Sequence, residues 1–234
     1  MLDMSGRSAS PAIDAMVARA YGDPRAMARR FRARRFERVG SLIDRVIAEK
    51  GRCRIADIGG TKYYWDIAET FVASRPIEIT LINPRESAPS FGKFRHLAGD
   101  ATDLSDLADN AFDLVHSNSV IEHVGDWEKM QAMAANVRRL APSYYVQTPN
   151  FWFPYEPHFR CLFIHWLPEQ IRYRLVRRFA LGFSGRKDCV DSAMRRVQSA
   201  RLIDLGQMRA LFPDAQISAE RVFGLAKSLI AARG

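Results

Sequence analysis

Ile55-Ala56-Asp57-Ile58-Gly59-Gly60 is the stretch on which the fold turns. It is an apolar, β-prone run that ends in an acid and two glycines. A helix-like stretch, Thr61 to Val72, follows it. A strand that stops at a glycine turn and feeds a helix sets backbone N–H groups at the carboxyl edge of a parallel sheet. In open α/β folds, small nucleotide-like ligands bind there. Asp-x-Gly-Gly alone is a common string. It gains meaning from two later pieces: Asn83 ends the next apolar strand, and Gly99-Asp100-Ala101 follows the one after.

Outward from that stretch, strand-like and helix-like segments alternate. Arg54–Ile58, Glu78–Ile82, Phe94–Leu97, Phe112–His116 and Tyr144–Thr148 read as strands. Thr61–Ala73 and Asp126–Leu140 read as helices, with Leu104–Ala108 as a short helix or turn. This alternation predicts a mainly parallel sheet covered on both faces. Ala215–Val222 and Leu225–Ala232, joined across Phe223-Gly224, predict a terminal antiparallel pair. That makes an α/β, Rossmann-like, doubly wound sheet of seven strands. Residues 150–198 break the rhythm with Pro154, Pro157 and Pro168, and read as an inserted cap. Ser199–Leu211 resumes as helix. Upstream, Ile13–Lys50 reads as helix interrupted at Gly22-Asp23-Pro24. The expected organisation is an N-terminal helical segment, 1–50, and one domain, 51–234, with its insertion at 150–198.

The chain has 234 residues and a formal net charge of +9. Residues 1–50 and 151–200 each carry a balance of +5, residues 201–234 carry +2, and residues 51–150 carry −3. The basic flanks suit an anionic substrate, a lipid headgroup or nucleic acid, or a solvated helical face. Seven arginines between Arg25 and Arg38 wrap around more than one helical face, without the interleaved aromatics of a nucleic-acid platform. No apolar stretch reaches the roughly 20 residues of a membrane span. Met1–Pro11 lacks the apolar centre of a secretory signal. Cys53, Cys161 and Cys189 are odd in number and widely spaced, which predicts reduced thiols and a cytoplasmic protein.

Phe112-Asp113-Leu114-Val115-His116-Ser117-Asn118-Ser119-Val120-Ile121-Glu122-His123-Val124, together with Gly99-Asp100-Ala101-Thr102-Asp103-Leu104, resembles the class I S-adenosylmethionine-dependent methyltransferases, in their small-molecule, type 11-like branch. The resemblance covers about residues 40–234. It implies S-adenosyl-L-methionine as cofactor, with Asp57, Gly59, Gly60 and Thr61 at its methionine part and Asn83 at the ribose. Asp100 and Ala101 would meet the adenine, and Asn118 closes the cofactor set. This chain departs from the family at three places. Thr61 and Tyr63 stand at the second and third glycine positions of Asp-x-Gly-x-Gly-x-Gly, and Asn83 replaces the usual ribose acid. If Asn83 occupies that acidic position, Asn83→Asp should tighten cofactor binding or leave it unchanged.

Methyl transfer from a sulfonium needs acceptor and methyl held collinear in a dry site. A hydroxyl acceptor also benefits from a base. His123, which follows the fourth strand, and His158, beside Tyr155 and Glu156 in the insertion, are the candidates, with Tyr155 as a further proton-accepting or orienting group. His165 sits in an apolar run and reads as core. The histidines show no metal-ligand spacing, so no metal is expected. The leading expectation is O-methylation of a small metabolite, sugar or lipid-linked acceptor. An N-methyltransferase, an RNA-modifying or RNA-binding protein, and a non-catalytic cofactor-binding relative are the alternatives. Ser117-Asn118-Ser119-Val120 stands where nucleic-acid amino-methyltransferases carry Asn/Asp-Pro-Pro-Tyr/Phe, so a nucleic-acid partner is not expected. The basic, apolar stretch 167–183 suits a peripheral membrane contact.

Overall fold

The computed structural model describes residues 27–84, 92–182 and 184–234, with side chains from residue 33 onward. The expected helical stretch before Met27 and its Gly22-Asp23-Pro24 break lie outside the described residues, as do the side chains of the first arginines of the basic run. Seven strands form one sheet in the order β3-β2-β1-β4-β5-β9-β8. They are β1 (Cys53–Ile58), β2 (Ile77–Asn83), β3 (Phe94–Ala98), β4 (Leu114–Asn118), β5 (Ser143–Pro149), β8 (Gln216–Val222) and β9 (Leu225–Arg233). The chain divides into two compact units: residues 1–118, 135–146 and 232–234, and residues 119–134 and 147–231.

In the first unit, β1 pairs in parallel with β2 on one side and with β4 on the other, and β2 pairs in parallel with β3. β1 is buried along nearly its whole length, as a strand covered on both faces must be. α1 (Met27–Lys50) packs against β1 and β4. Phe36, Val39, Ile43 and Val46 recur at helical spacing and are buried, whereas Arg34, Arg38 and Arg45 are exposed. Each buried apolar side chain of that stripe is worth about 1.5–3 kcal/mol of transfer energy. Arg34, Arg38 and Arg45 therefore cover a solvated face, whereas Arg35 is buried. Cys53 is buried under this layer, and burial, reinforced by Asp113, pushes its thiol pKa up to about 12.

The helix expected over Thr61–Ala73 is instead three short pieces: α2 (Lys62–Trp65), a 3-10 turn (Asp66–Ala68) and α3 (Glu69–Ala73). Tyr64 and Trp65 are both buried, and successive residues lie about 100° apart on a regular helix. The Trp65 indole is moreover tied to Asp57 at 2.8 Å. The strand expected at Phe112–His116 runs instead over Leu114–Asn118; Asp113, just before it, donates its N–H to the Arg54 carbonyl at 2.8 Å while its carboxylate accepts from the Arg54 N–H at 2.9 Å. Leu104–Ala108 is a turn, closed by Leu107 N–H donating to the Leu104 carbonyl at 3.0 Å.

The second unit holds a short antiparallel hairpin, β6 (Tyr155–Glu156) with β7 (Cys161–Leu162). A 3-10 turn, Ile164–Trp166, follows it. The helix α5 is Glu169–Arg178, shorter than the 167–183 stretch; it starts after Pro168 and stops where Phe179 turns extended. α6 (Val190–Val197) opens on Cys189, whose sulfur accepts from the Ser192 N–H as a helix cap. Phe159, Ile164, Val176, Ala193 and Val197 make a small core of their own. The expected helix Ser199–Leu211 begins only at Leu205 (α7), because Asp204 and Gln207 form a reciprocal capping box. α4 (Trp127–Leu140) follows a 3-10 turn, Ile121–His123. Phe223 and Gly224 both have positive φ, the signature of the tight two-residue turn that joins antiparallel strands. Among the described residues, no helix is long and apolar enough to cross a membrane.

Candidate active site

The first group of predicted site residues lies where β1, β2 and β3 end. Parallel register aligns Ile58 with Ile82 and Asn83 with Ala98, so Gly59, Asn83 and Gly99 reach the same edge. Gly59 has φ +70°, a conformation only glycine adopts freely, and its N–H donates to the Ile82 carbonyl at 2.7 Å. A Cβ at Gly60 would overlap the Asp57 carboxylate. This second glycine is thus required by the acid three residues earlier.

Asp57 itself is 1% exposed, and both of its oxygens are committed within the unit. His116 Nδ1 bonds Oδ1 at 2.7 Å and the Trp65 indole N–H donates to Oδ2 at 2.8 Å. Its carboxylate braces the turn, and the ring of His116 is stacked in turn on Tyr145. Thr61 is exposed at the start of α2 and its hydroxyl makes no cap. Asn83 donates through Nδ2 to the Gly60 carbonyl at 3.0 Å, which ties the second strand end to the glycine turn. Its Oδ1 has no hydrogen-bond partner among the described residues. Asp100 is exposed; its Oδ1 accepts from the N–H and hydroxyl of Thr102, both at 2.8 Å, and its Oδ2 accepts from no described residue. Ala101 is buried and its carbonyl takes the Asn136 amide. Asn118 accepts from Arg35 Nη1 at 2.9 Å, a helix residue that sequence reading did not connect to the strand end. Among the described residues, two acceptor atoms at this edge, Asn83 Oδ1 and Asp100 Oδ2, receive no donor. Both are oxygen acceptors, compatible with the hydroxyl and amine groups of a nucleoside such as that of S-adenosylmethionine.

The second group lies in the other unit. His123 and His158, 35 residues apart, meet with their Nε2 atoms 3.1 Å apart and their ring planes perpendicular. His123 Nδ1 bonds the Ser199 carbonyl at 2.7 Å. His158 Nδ1 bonds Glu156 Oε1 at 2.5 Å, and the Phe159 N–H holds the other Glu156 oxygen at 2.5 Å. Burial works against ionisation of Glu156, but these hydrogen bonds outweigh it and lower its pKa. Burial pushes the His123 pKa down, more than the Glu122 charge raises it. Glu122 is 1% exposed; Thr148 donates to its Oε2 at 2.9 Å, while Oε1 has no partner. Tyr155 is not part of the cluster: it is exposed, and no hydrogen bond or ring contact joins it to either histidine. β6 alternates, so Tyr155 and Glu156 point to opposite faces.

A cavity of about 250 Å³ in the same unit is lined by Trp127, Phe151, Phe159, Glu156, His165 and Arg172, among others. His165 is held there by the Phe151 carbonyl at 2.8 Å, so the residue read as core also faces a cavity. Sequence reading passed over Ser199 as the partner of His123, and over Glu122 with its own partner Thr148 beside the histidines. The one available signal was the Glu122-His123 pair directly after the fourth strand.

Residues 45–143 match the family model described as a methyltransferase domain, which bears out the resemblance over that segment. Two uncharacterized proteins from two strains of Mycobacterium tuberculosis are 27% identical over 130 residues, 50% of this chain and 43% of each relative. The chain thus spans under half the length of these curated relatives. A solved structure from Bordetella parapertussis, titled as a possible exported protein, superposes with a TM-score of 0.51 at 13% identity, covering 100% of this chain and 76% of that one. A S-adenosylmethionine-dependent methyltransferase structure from Methanosarcina mazei has a TM-score of 0.47 at 15% identity, covering 78% and 92%. At 13% identity the likeness to the Bordetella structure concerns the fold alone.

Proposed function

We infer from the methyltransferase domain to which residues 45–143 belong that this chain transfers a methyl group from S-adenosylmethionine, and we propose a hydroxyl of a small polar molecule as acceptor. The observation that carries the reading is the strand-end edge, where Asn83 Oδ1 and Asp100 Oδ2 meet no donor among the described residues, beside a positive-φ glycine turn. The cofactor, when bound, supplies the electrophilic methyl. Asp100 would accept from the adenine amine and Ala101 would flank the ring. Asn83 would accept from the ribose, with Gly59, Gly60, Thr61 and Asn118 completing the cradle.

We assign the acceptor side to the insertion and to the turn after β4. The 250 Å³ cavity mixes aromatic walls with Glu156, His165 and Arg172, which suits a small polar molecule. His123 and His158 are the groups that would relieve an acceptor hydroxyl of its proton, as bases or through an ion that they hold. An amine that is already neutral needs no such group, whereas a hydroxyl benefits from one, so the paired imidazoles favour oxygen.

A lipid-linked acceptor is a second reading, favoured by one observation. Trp152, Leu162, Phe163 and Trp166 are all 40% or more exposed, with rings of Trp152 and Phe163 against Trp166. Arg174, Arg177 and Arg178 are exposed on α5. Such a surface suits an anionic bilayer interface. Co-sedimentation with phosphatidylglycerol vesicles, reduced by Trp152→Ser with Trp166→Ser, would support it; equal pelleting of both proteins would remove it. The cysteines fit a reducing compartment, and we propose a cytoplasmic location.

S-adenosylhomocysteine should raise the melting temperature, because a ligand that binds the folded state stabilises it. Asp100→Ala should weaken that binding roughly tenfold or more, beyond the small drop in apo melting temperature that follows from losing its two Thr102 hydrogen bonds. Absence of any thermal shift at saturating ligand would end the methyl-transfer reading.

A further inference from the structure

We infer that Glu122, His123 and His158 form a binding site for one divalent transition-metal ion, with zinc the best match to the donor set. The three side chains can each present one ligand atom, and these atoms lie within 4.8 Å of one another. The sequence separation of the two histidines hides the cluster; the fold assembles it inside one compact unit.

The hydrogen-bond directions make the argument. A backbone carbonyl only accepts, so the Ser199 contact requires His123 to donate from Nδ1. The Glu156 carboxylate requires the same of His158. A neutral imidazole that donates from Nδ1 carries a lone pair on Nε2. Two such lone pairs face each other at 3.1 Å. That arrangement needs a positive centre. A shared proton would serve the two nitrogens and leave Glu122 Oε1 buried with nothing to accept from. A metal ion serves all three atoms at once.

The distances agree. Zinc–nitrogen bonds of 2.0–2.1 Å in a tetrahedral array separate two nitrogen ligands by about 3.3 Å. The observed 3.1 Å is close to that value, and the carboxylate oxygen, within 4.8 Å of both nitrogens, has to move by at most about 1.5 Å. Each ligand is also held from behind: His123 by a carbonyl, His158 by a carboxylate, and Glu122 by the Thr148 hydroxyl. Such outer partners fix the tautomer and orientation of metal-ligating side chains. Arg196, bonded to the His158 carbonyl, and Arg172, whose charge is felt by Glu156, are opposing charges in this unit, set against Glu122 and Glu156.

Two imidazoles and one carboxylate suit zinc, cobalt, nickel or iron(II) better than magnesium or calcium. Three protein ligands leave a coordination position open, where a hydroxyl would bind and lose its proton more easily. That last step rests on the methyl-transfer reading; occupancy of the site does not, and can be measured without cofactor or acceptor.

The test uses untagged full-length protein stripped with a chelator and titrated with zinc. Cobalt(II) serves as an optical probe of a tetrahedral site. One ion per chain is expected, with a Kd below about 1 μM, and His123→Asn or His158→Asn should weaken it by about 100-fold or more. Glu122→Gln, which keeps an acceptor for Thr148, should weaken it about tenfold and serves alone if a histidine variant fails to fold. His96→Asn, in the other unit, should bind as the parent does. Zinc binding that is absent, or equal within about threefold in all three site variants, would overturn the site. Thermal shifts with S-adenosylhomocysteine, measured on the stripped protein, report separately on the methyl-transfer reading.

Discussion

Asp113, just before β4, and Glu122, just after it, are both buried carboxylates, and they are treated in opposite ways. Asp113 receives the backbone N–H, Nε and Nη2 of Arg54 and the Nζ of Lys50, at 2.9–3.3 Å. Glu122 receives one hydroxyl and keeps its other oxygen unpaired. Asp57, at the glycine turn, belongs with Asp113, since both of its oxygens are engaged. A buried acid whose hydrogen bonds are complete holds a fold together. One left half-paired costs stability and is retained where it can meet a ligand. The glycine turn is therefore a braced frame, whereas the turn after β4 keeps binding capacity in reserve.

The largest effect expected of this contrast is at the frame. Gly60→Ala would drive a methyl group into the Asp57 carboxylate, and should cost about 3 kcal/mol or more in urea denaturation, or prevent folding. A loss below about 1 kcal/mol would mean that the frame yields, and the contrast would fail. Acid comes next. Burial alone would raise the Asp113 pKa, but the Arg54 and Lys50 hydrogen bonds outweigh it and lower it to about 2. A carboxylate depressed in the folded state stabilises fully above its unfolded pKa, and that contribution disappears as pH falls through the folded value. The stability gap between the parent and Asp113→Asn should therefore shrink by about 2 kcal/mol between pH 5 and about pH 2. A gap independent of pH would show that Asp113 is not held as an anion.

Asn83→Asp tests the strand-end edge more gently. The substitution was expected from the sequence to help cofactor binding or leave it unchanged. The amide, however, donates to the Gly60 carbonyl, and a carboxylate cannot. Folding should weaken by about 1–2 kcal/mol, and any gain in cofactor affinity would appear only against that loss. The smallest effect should have the opposite sign. In chelator-stripped protein, Glu122→Gln should stabilise by about 1 kcal/mol, because it replaces a buried carboxylate of which one oxygen is unpaired with an amide that keeps an acceptor for Thr148. Destabilisation there would place Glu122 among the bracing acids and erase the contrast.

The same division decides what the sequence disclosed. The strand-turn-strand frame was legible because its determinants are local: an apolar run, a positive-φ glycine, and an acid that three and eight residues later meets Gly60 and Trp65. β1, β2, β3 and β5 came out within about two residues of their observed ends, and the antiparallel pair was marked by Phe223-Gly224. The broken helix after Gly60 was not legible, since a contact between Trp65 and Asp57 overrides helical propensity. The histidine pair was named residue by residue, but not as a pair, because its members come from a strand-end turn and an insertion 35 residues later. Tyr155 was singled out for its neighbourhood in sequence, and strand alternation turns it away from Glu156. Asn118 was read as a cofactor residue; its bond to Arg35 depends on how α1 lies on the sheet, which no local pattern encodes.

Cys189 caps α6 with its sulfur, and that detail makes the chain addressable by chemistry. Hydrogen bonds to the Ser192 side chain and N–H hold its thiol below the ordinary cysteine pKa, at a fully open position. Cys53, sealed with a pKa of about 12, will not compete for a maleimide. With Cys161 replaced by serine, one fluorophore can be placed at the first turn of α6, whose last turn carries Arg196, bonded to the His158 backbone. Its depolarisation would register tightening around that histidine as zinc is added, giving a ligand-free chain an optical gauge on its own helix.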